Sequence, residues 1–207
     1  MRRIGSICVF CGSSMGKRPI FARVAEELGC ELARRNIGLI YGGSNIGTMR
    51  VLADACLENG GKVTGIMPEL LASREILHQS LTKVITCDSM AERKSLMGQL
   101  SDAFIVLPGG IGTLDELFEA LSWLQLGVYS DKPIGLLNVE GYFDALLKFL
   151  DRGTEEGFIR PEHRQNLWVD TDPARLIDRF LTEPLLHPHS KWVEELIDDT
   201  NHKLATR

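Results

Sequence analysis

The run Ala103-Phe104-Ile105-Val106-Leu107-Pro108-Gly109-Gly110-Ile111-Gly112-Thr113 decides the fold. Its first five residues are continuously apolar, as in a strand covered by helices on both faces rather than one. The glycine-rich stretch then breaks the chain. Beyond it Leu117, Leu121 and Leu124 recur at helical spacing. Strand, glycine turn and helix in succession make one unit of a parallel α/β sheet.

The same grammar runs through the chain in both directions. Short β-branched runs predict strands over 4–10, 37–41, 62–67, 83–86, 103–107, 133–139 and 167–169. Helical spacing predicts helices over 19–35, 48–58, 90–100, 113–126, 142–150 and 173–181. In the first of these Ile20, Phe21, Val24, Leu28 and Leu32 share a face, and Pro19 suits the first turn. The fold class is therefore α/β: a doubly wound parallel sheet of about seven strands with helices on both faces. Residues 1–183 are expected to form one nucleotide-binding catalytic domain. Residues 184–207 form a tail, with His187-Pro188-His189 and a short amphipathic stretch over 192–197. Nothing acidic or thiolate beside the two histidines completes a metal site, so none is expected.

Glycines gather at three strand ends: Cys11-Gly12-Ser13-Ser14, Tyr41-Gly42-Gly43-Ser44-Asn45-Ile46-Gly47-Thr48, and the 108–113 loop. In a parallel sheet these ends lie on one edge, where ligands bind near the reversal of strand order. Glycine permits positive φ and close approach, and a helix that follows offers free N–H groups and a favourable dipole to an anion. One such loop would merely shape a turn; three on one edge predict a phosphate site. Gly12-x-x-x-Gly16-Lys17-Arg18 is one residue short of a Walker A loop, and no Gly-x-Gly-x-x-Gly follows a strand. A mononucleotide is thus expected and no dinucleotide cofactor.

Size and composition agree with one globular domain: 207 residues, 44% hydrophobic and 25% charged. A net charge of −5 argues against nucleic-acid binding. No apolar run approaches the ~20 residues of a membrane span, so no membrane partner is expected. Five cysteines cannot all pair. Cys8-Val9-Phe10-Cys11 has Cys-x-x-Cys spacing, but Cys8 falls inside a predicted strand rather than at a helix start. Structural thiols in a reducing compartment, the cytoplasm, are the expectation.

Candidate charges follow. Thr113-Leu114-Asp115-Glu116 is a capping-box pattern, as is Ser89-Met90-Ala91-Glu92. On spacing alone capping stands ahead of catalysis for Glu116. Its place one turn beyond the triple-glycine loop supplies the other reading, a carboxylate that activates water or stabilises a cationic sugar. Arg93 and Lys94 sit in the first turns of a helix, where cations gain nothing from the dipole, and Arg offers bidentate phosphate binding. Their bland reading is solvated surface charge. Glu75 lies in a strand-to-strand connection and takes no role from its spacing.

Two motifs now carry a resemblance. Pro108-Gly109-Gly110-Ile111-Gly112-Thr113-Leu114-Asp115-Glu116 matches Pro-Gly-Gly-x-Gly-Thr-x-x-Glu, and Met90-Ala91-Glu92-Arg93-Lys94 matches Met-x-x-Arg-Lys. The chain resembles the LONELY GUY family of cytokinin riboside 5′-monophosphate phosphoribohydrolases, often mislabelled lysine decarboxylases. The similarity covers nearly all of 4–180, including Tyr41-Gly42-Gly43 and Trp123-Leu124-Gln125-Leu126-Gly127. It implies a Rossmann-like fold, a homodimer, and hydrolysis of N⁶-modified AMP to free base and ribose 5-phosphate. It implies that Arg93 and Glu116 are catalytic; the mechanism expected from these residues has Arg93 fix Glu116 and the substrate. It also implies substrate contacts from Glu75, Lys94, Gly110, Ile111, Gly112, Thr113, Leu114, Asp115 and Ser122, beside the loop residues Gly12, Ser13 and Gly43. Ile111 stands where the family commonly has Tyr, and Thr48 where it has Leu, which bears on base and ribose packing. Leu117, Leu121, Trp123, Leu124 and Leu126 give one helix more apolar surface than a single face needs, in keeping with a dimer. Two rivals stand beside the hydrolase: a non-catalytic nucleotide or molybdenum-cofactor carrier, and a pyridoxal-phosphate decarboxylase. The second needs a Schiff-base lysine, and no lysine here lies in a recognisable cofactor motif.

Overall fold

Along β1 (Ser6–Phe10), Ile7 and Val9 enter one core layer and Cys8 and Phe10 the other; all four are buried. β5 (Ala103–Val106) repeats the division, with Ala103 and Ile105 on one side and Phe104 and Val106 on the other. A strand apolar on both faces must be covered twice. The computed structural model describes residues 2–72, 76–129 and 131–186, except for the side chains of 71 and 72, and it meets that requirement.

The sheet has seven strands, all parallel, in the order β4-β3-β2-β1-β5-β6-β7. The remaining strands are β2 (Gly38–Tyr41), β3 (Val63–Pro68), β4 (Lys83–Cys87), β6 (Ile134–Leu137) and β7 (Leu167–Asp170). The chain winds outward from β1 to β4, then returns to place β5 on the other side of β1. The reversal between β1 and β5 is the switch point where the flanking loops part to leave a crevice. One face is covered by α1 (Pro19–Arg34), α2 (Gly47–Glu58) and α8 (Pro173–Thr182), through Leu28, Leu52 and Phe180 among others. The opposite face carries α4 (Met90–Gln99), α5 (Ile111–Gln125) and α6 (Asp144–Glu155), through Met97, Leu117 and Leu150.

The expected α/β class, strand count and double winding are what the structure has. Two short helices, α3 (Glu69–Ala72) and α7 (Pro161–Gln165), come in addition; at four and five residues they are too short to leave a periodic pattern. The helix expected over 142–150 starts at Asp144 and runs to Glu155, after a 3₁₀ turn over Val139–Gly141. Cys8 and Cys11 fall in different core layers and are unpaired, as are Cys30, Cys56 and Cys87. Burial holds the Cys8 thiol well above its usual range and pushes Cys11 up to about 12, so neither is a reactive thiolate. Asn166 clasps Leu186 through both backbone groups, at 2.7 and 2.9 Å. His187, His189 and the 192–197 stretch lie outside the described residues. No helix among the described residues is long and apolar enough to cross a membrane.

Candidate active site

Three loops meet at the switch point, and two threonines fasten them. The Thr48 hydroxyl, on the first turn of α2, donates to the Gly12 carbonyl and accepts from the Gly12 N–H, both at 3.1 Å. The Thr113 hydroxyl, on α5, donates to the Cys11 carbonyl at 3.0 Å. Thr113 is therefore not the helix cap that its spacing suggested. Helix α5 begins two residues earlier, at Ile111, with Gly110 as a cap that offers no side chain. A tertiary bond to β1 claims the hydroxyl instead. The consequence is chemical: the amides of Ile111, Gly112 and Thr113 have no hydrogen-bond partner among the described residues, as the first amides of a helix do where no side chain caps it. The Ser89 cap behaves as expected on one side, accepting from the Glu92 N–H at 3.1 Å. Glu92 reaches back to the Asp88 N–H rather than to that of Ser89. The first loop does not open a helix directly, since α1 starts at Pro19, which lacks the N–H an anion would use.

A hollow of about 280 Å³ lies beside these amides. Arg93, Glu116, Gly42, Ser13 and the side of α5 from Ile111 to Thr113 line it, with Met49, Met90 and Met97 as its apolar wall. Arg93 is 9% exposed, so its surface-charge reading is wrong. Its Nε donates to the Ile66 carbonyl at 3.0 Å and its Nη2 to the Gly42 carbonyl at 2.8 Å. The strand ends β2 and β3 thus hold a buried guanidinium at the crevice. Glu116 is half-buried one turn into α5. Desolvation pushes its carboxyl from 4.5 up to about 7, against the opposing pull of Arg93. No ion pair joins the two among the described residues, so Arg93 acts on Glu116 through the field across the hollow. The expected hold of Arg93 on Glu116 has no direct bond behind it among the described residues: the guanidinium Nε and Nη2 are given to main-chain carbonyls.

The other expected residues divide. Gly110, Ile111, Gly112, Thr113, Asp115 and Ser13 line the hollow with Arg93 and Glu116, and Gly12 lines the adjoining one with Ser13 and Gly110. Lys94 turns aside to Asp115 at 3.0 Å and Glu119 at 2.5 Å. Leu114 packs toward the core. Gly43 is buried at φ +77, its α-hydrogen face against Gly65, so it is Gly42 that lines the hollow. Ser122 sits on the last turns of α5, bonded to the Phe118 carbonyl, in a separate apolar hollow with Ile159 and His163. Glu75 lies outside the described residues. Sequence reasoning missed Gly42, Met90 and Tyr142 as site residues. Met90 stood inside a quoted motif, and Tyr142 follows Gly141 just past a strand end on the ligand edge; those were the signals available.

Comparison with known proteins follows the same geometry. Residues 49–180 match the protein family described as "Possible lysine decarboxylase". The cytokinin riboside 5′-monophosphate phosphoribohydrolase LOG2 of Arabidopsis thaliana is 42% identical over 197 residues, covering 95% of this chain and 91% of that protein. The chain belongs to the LOG family. Its relative LOG1, also from Arabidopsis thaliana and named for the same activity, is 51% identical over 158 residues, 76% of this chain and 74% of LOG1. Among solved structures, the molybdenum cofactor carrier protein of Chlamydomonas reinhardtii superposes with a TM-score of 0.66 at 21% identity, over 87% of this chain and 100% of that one. At that identity the likeness is one of fold.

Proposed function

We propose that the chain hydrolyses the N-glycosidic bond of nucleoside 5′-monophosphates, N⁶-modified adenosine monophosphates among them, releasing the free base and ribose 5-phosphate. The observation that carries this reading is a carboxyl held near neutrality in the same hollow as a buried guanidinium and an open helix N-terminus. The α5 amides receive the 5′-phosphate. Glu116 then stands beside the ribose, where its carboxylate takes a proton from water or offsets the positive charge that develops at C1′. The C1′–N bond electrons leave with the base, which gains a proton, and water oxygen ends on C1′. Arg93 contributes positive potential that opposes the desolvation of Glu116 and so favours its ionised form, and it faces the phosphate side of the substrate.

Incubation with a panel of nucleoside monophosphates, with and without N⁶ substituents, followed by chromatography, tests this. Release of base and ribose 5-phosphate is expected, and a panel from which no base is freed overturns it. The carrier alternative predicts retained nucleotide without cleavage, so the same chromatogram separates the two. A decarboxylase reading meets a physical objection in Lys94: its bonds to Glu119 and Asp115 raise its pKa, the opposite of a Schiff-base amine.

The active form is proposed to be a homodimer in the cytoplasm. Phe118, Leu126 and Val128 are exposed along and just beyond the far end of α5, the kind of apolar patch a partner covers. Sedimentation giving the mass of one chain would contradict it. The domain is proposed as residues 1–183, with 184–207 as an appended tail.

A further inference from the structure

Two carbonyls hold the Arg93 guanidinium, and they differ in what holds them. That of Ile66 sits inside the sheet, where β3 pairs Ile66 with Ile85 of β4. That of Gly42 lies one residue past the end of β2, at the start of the loop 42–45. Gly42 and Arg93 Nη2 are so close that no Cβ would fit between them, and a shift in this loop passes directly to the guanidinium. Sheet pairing fixes the first carbonyl. The second needs another anchor.

The loop is met by 76–80, in the connection between α3 and β4. The Asn45 N–H donates to the Ile76 carbonyl at 2.7 Å and the His78 N–H to the Gly43 carbonyl at 2.9 Å. Ser44 and Leu77 face each other as an antiparallel bridge. Pairing this short is not stable by itself, and the His78 side chain supplies the anchor. It is 4% exposed. Its Nε2 bonds to Asp54 Oδ1 on α2 at 2.8 Å, and its Nδ1 accepts from the Ser80 N–H at 3.2 Å. A carboxylate accepts and a main-chain N–H donates, so Nε2 carries the proton and both ring nitrogens are used. Arg50, also on α2, bonds to Asp54 Oδ2 at 3.1 Å from the exposed side. Satisfied core histidines are common. This one is set apart by its address: it ties an irregular connection to α2 where that connection grips the loop carrying the Gly42 carbonyl.

We propose that His78 is a positioning residue for the reaction: through Asp54 it fixes the 42–45 loop, and so holds Arg93 where its charge reaches Glu116. The proposal rests on the hydrolase reading for the roles of Arg93 and Glu116, and adds the contact that keeps Arg93 in place. Glu116 is faced by Arg93 and Lys94 on α4, by Asp115 and Glu119 on α5, and by the buried thiols of Cys8 and Cys11 from the β1 side. Among these, Arg93 is bonded to the loop that His78 holds.

Base release from a nucleoside monophosphate by the full chain, followed across pH, tests this. His78→Leu and Asp54→Ala should each lower kcat roughly 10–100-fold, the scale on which misplacing a group by about an ångström counts. Both should also move the acid limb of kcat/KM to higher pH, because a displaced Arg93 no longer draws the Glu116 pKa down. A loss of folded protein alone would lower the rate at every pH and leave the limb in place. Asp54 is partly exposed on its helix, so its variant reports even where His78→Leu does not fold. His78→Gln keeps a donor for Asp54 and should restore most of the rate, and Arg50→Ala, which spares the His78 bond, should leave it unchanged. In an Arg93→Gln background, His78→Leu should cost less than about twofold, since the two changes act through one group. A limb that stays in place, His78→Gln as slow as His78→Leu, or the full loss repeated in the Arg93→Gln background overturns the proposal. Hydrogen exchange of the Asn45 amide needs no turnover. It should be about fivefold to tenfold faster in Asp54→Ala, and an unchanged rate overturns the anchoring itself. Failure of the wild-type chain to release base from any monophosphate would instead sink the hydrolase reading and leave that exchange result standing.

Discussion

The tripeptide Ile-Gly-Thr opens two helices on the ligand edge, at 46–48 and at 111–113, and the two copies do opposite things. In both, the threonine hydroxyl bonds to the first loop, and the residue four places on, Leu52 or Leu117, is fully buried. At α2 the protein itself fills the space above the helix start. Gly47 is at φ +61 against the Ser13–Ser14 main chain, and the Gly12 carbonyl takes the Met49 amide at 3.4 Å. At α5 that space is empty: Ile111 is 83% exposed and a Cβ on Gly112 would meet nothing within 4 Å. The residue after the threonine by three is Val51 in α2 and Glu116 in α5. One local design thus serves once as a structural joint and once as an unplugged helix start with a carboxylate behind it, the proposed anion site. What tells them apart is which one the neighbouring loop has plugged.

The comparison breaks most visibly at Glu116. Glu116→Gln should lower kcat by about 10²–10³, the loss typical of one electrostatic group at a reacting centre, as measured by base release. Folding should improve in the same variant. A carboxyl raised from 4.5 to about 7 stabilises the folded state fully below pH 4.5 and loses that contribution as pH rises through 7. The glutamine has no such loss, so its advantage in unfolding free energy should be absent at pH 4 and reach about 1–3 kcal/mol above pH 8. A variant equally active, or no more stable at high pH, would return Glu116 to the surface.

Next in size is the glycine pair. Gly47→Ala places a Cβ 2.3 Å from the Ser13 carbonyl carbon in a left-handed backbone, which should destabilise by about 3 kcal/mol. Gly112→Ala has open space around its Cβ and should leave Tm nearly unchanged while raising KM, since the added methyl borders the open amides. Equal effects on stability would erase the distinction between the two helix starts.

Arg93 tests how the open site is tuned. Arg93→Gln frees the Gly42 and Ile66 carbonyls, a loss of about 2 kcal/mol in stability. It also removes the positive charge that draws the Glu116 pKa down. The acid limb of the kcat/KM profile, set by ionisation of Glu116, should therefore move to higher pH. A limb that stays in place would show that the two groups do not sense each other.

Much of this was legible in the chain. Continuous apolar strands forced a sheet covered on both faces, and glycines at strand ends marked the edge where the hollow opens, because both signals are local. The rest depends on contacts between segments. Nothing in Thr113-Leu114-Asp115-Glu116 says that the hydroxyl will be drawn off to Cys11 and expose three amides. Nothing around Arg93 says that β2 and β3 end beneath it and bury it. Ser122 shares a helix with Glu116 but lies too far along it to reach the same hollow, a distance that a motif match does not weigh. Gly42 and Gly43 are adjacent and look alike until the close approach of Gly65 takes one of them out of the site.

The threonines give the smallest effects and the finest test of the comparison. Thr48→Val removes a donor and an acceptor, leaving the Gly12 N–H unpaired and its carbonyl with only the long bond from the Met49 amide in a buried joint. Thr113→Val removes only a donor to the Cys11 carbonyl. At about 1 kcal/mol for each lost bond, chemical denaturation should show Thr48→Val roughly twice as destabilising as Thr113→Val. Activity should rank them the other way. Thr113 lies in the turn that offers the amides, and releasing it from β1 lets that turn drift relative to Arg93, so KM should rise more than in Thr48→Val. If both variants lose stability and activity in the same proportion, the two helix starts share one role, and the open end of α5 is not a phosphate site set apart from the joint at α2.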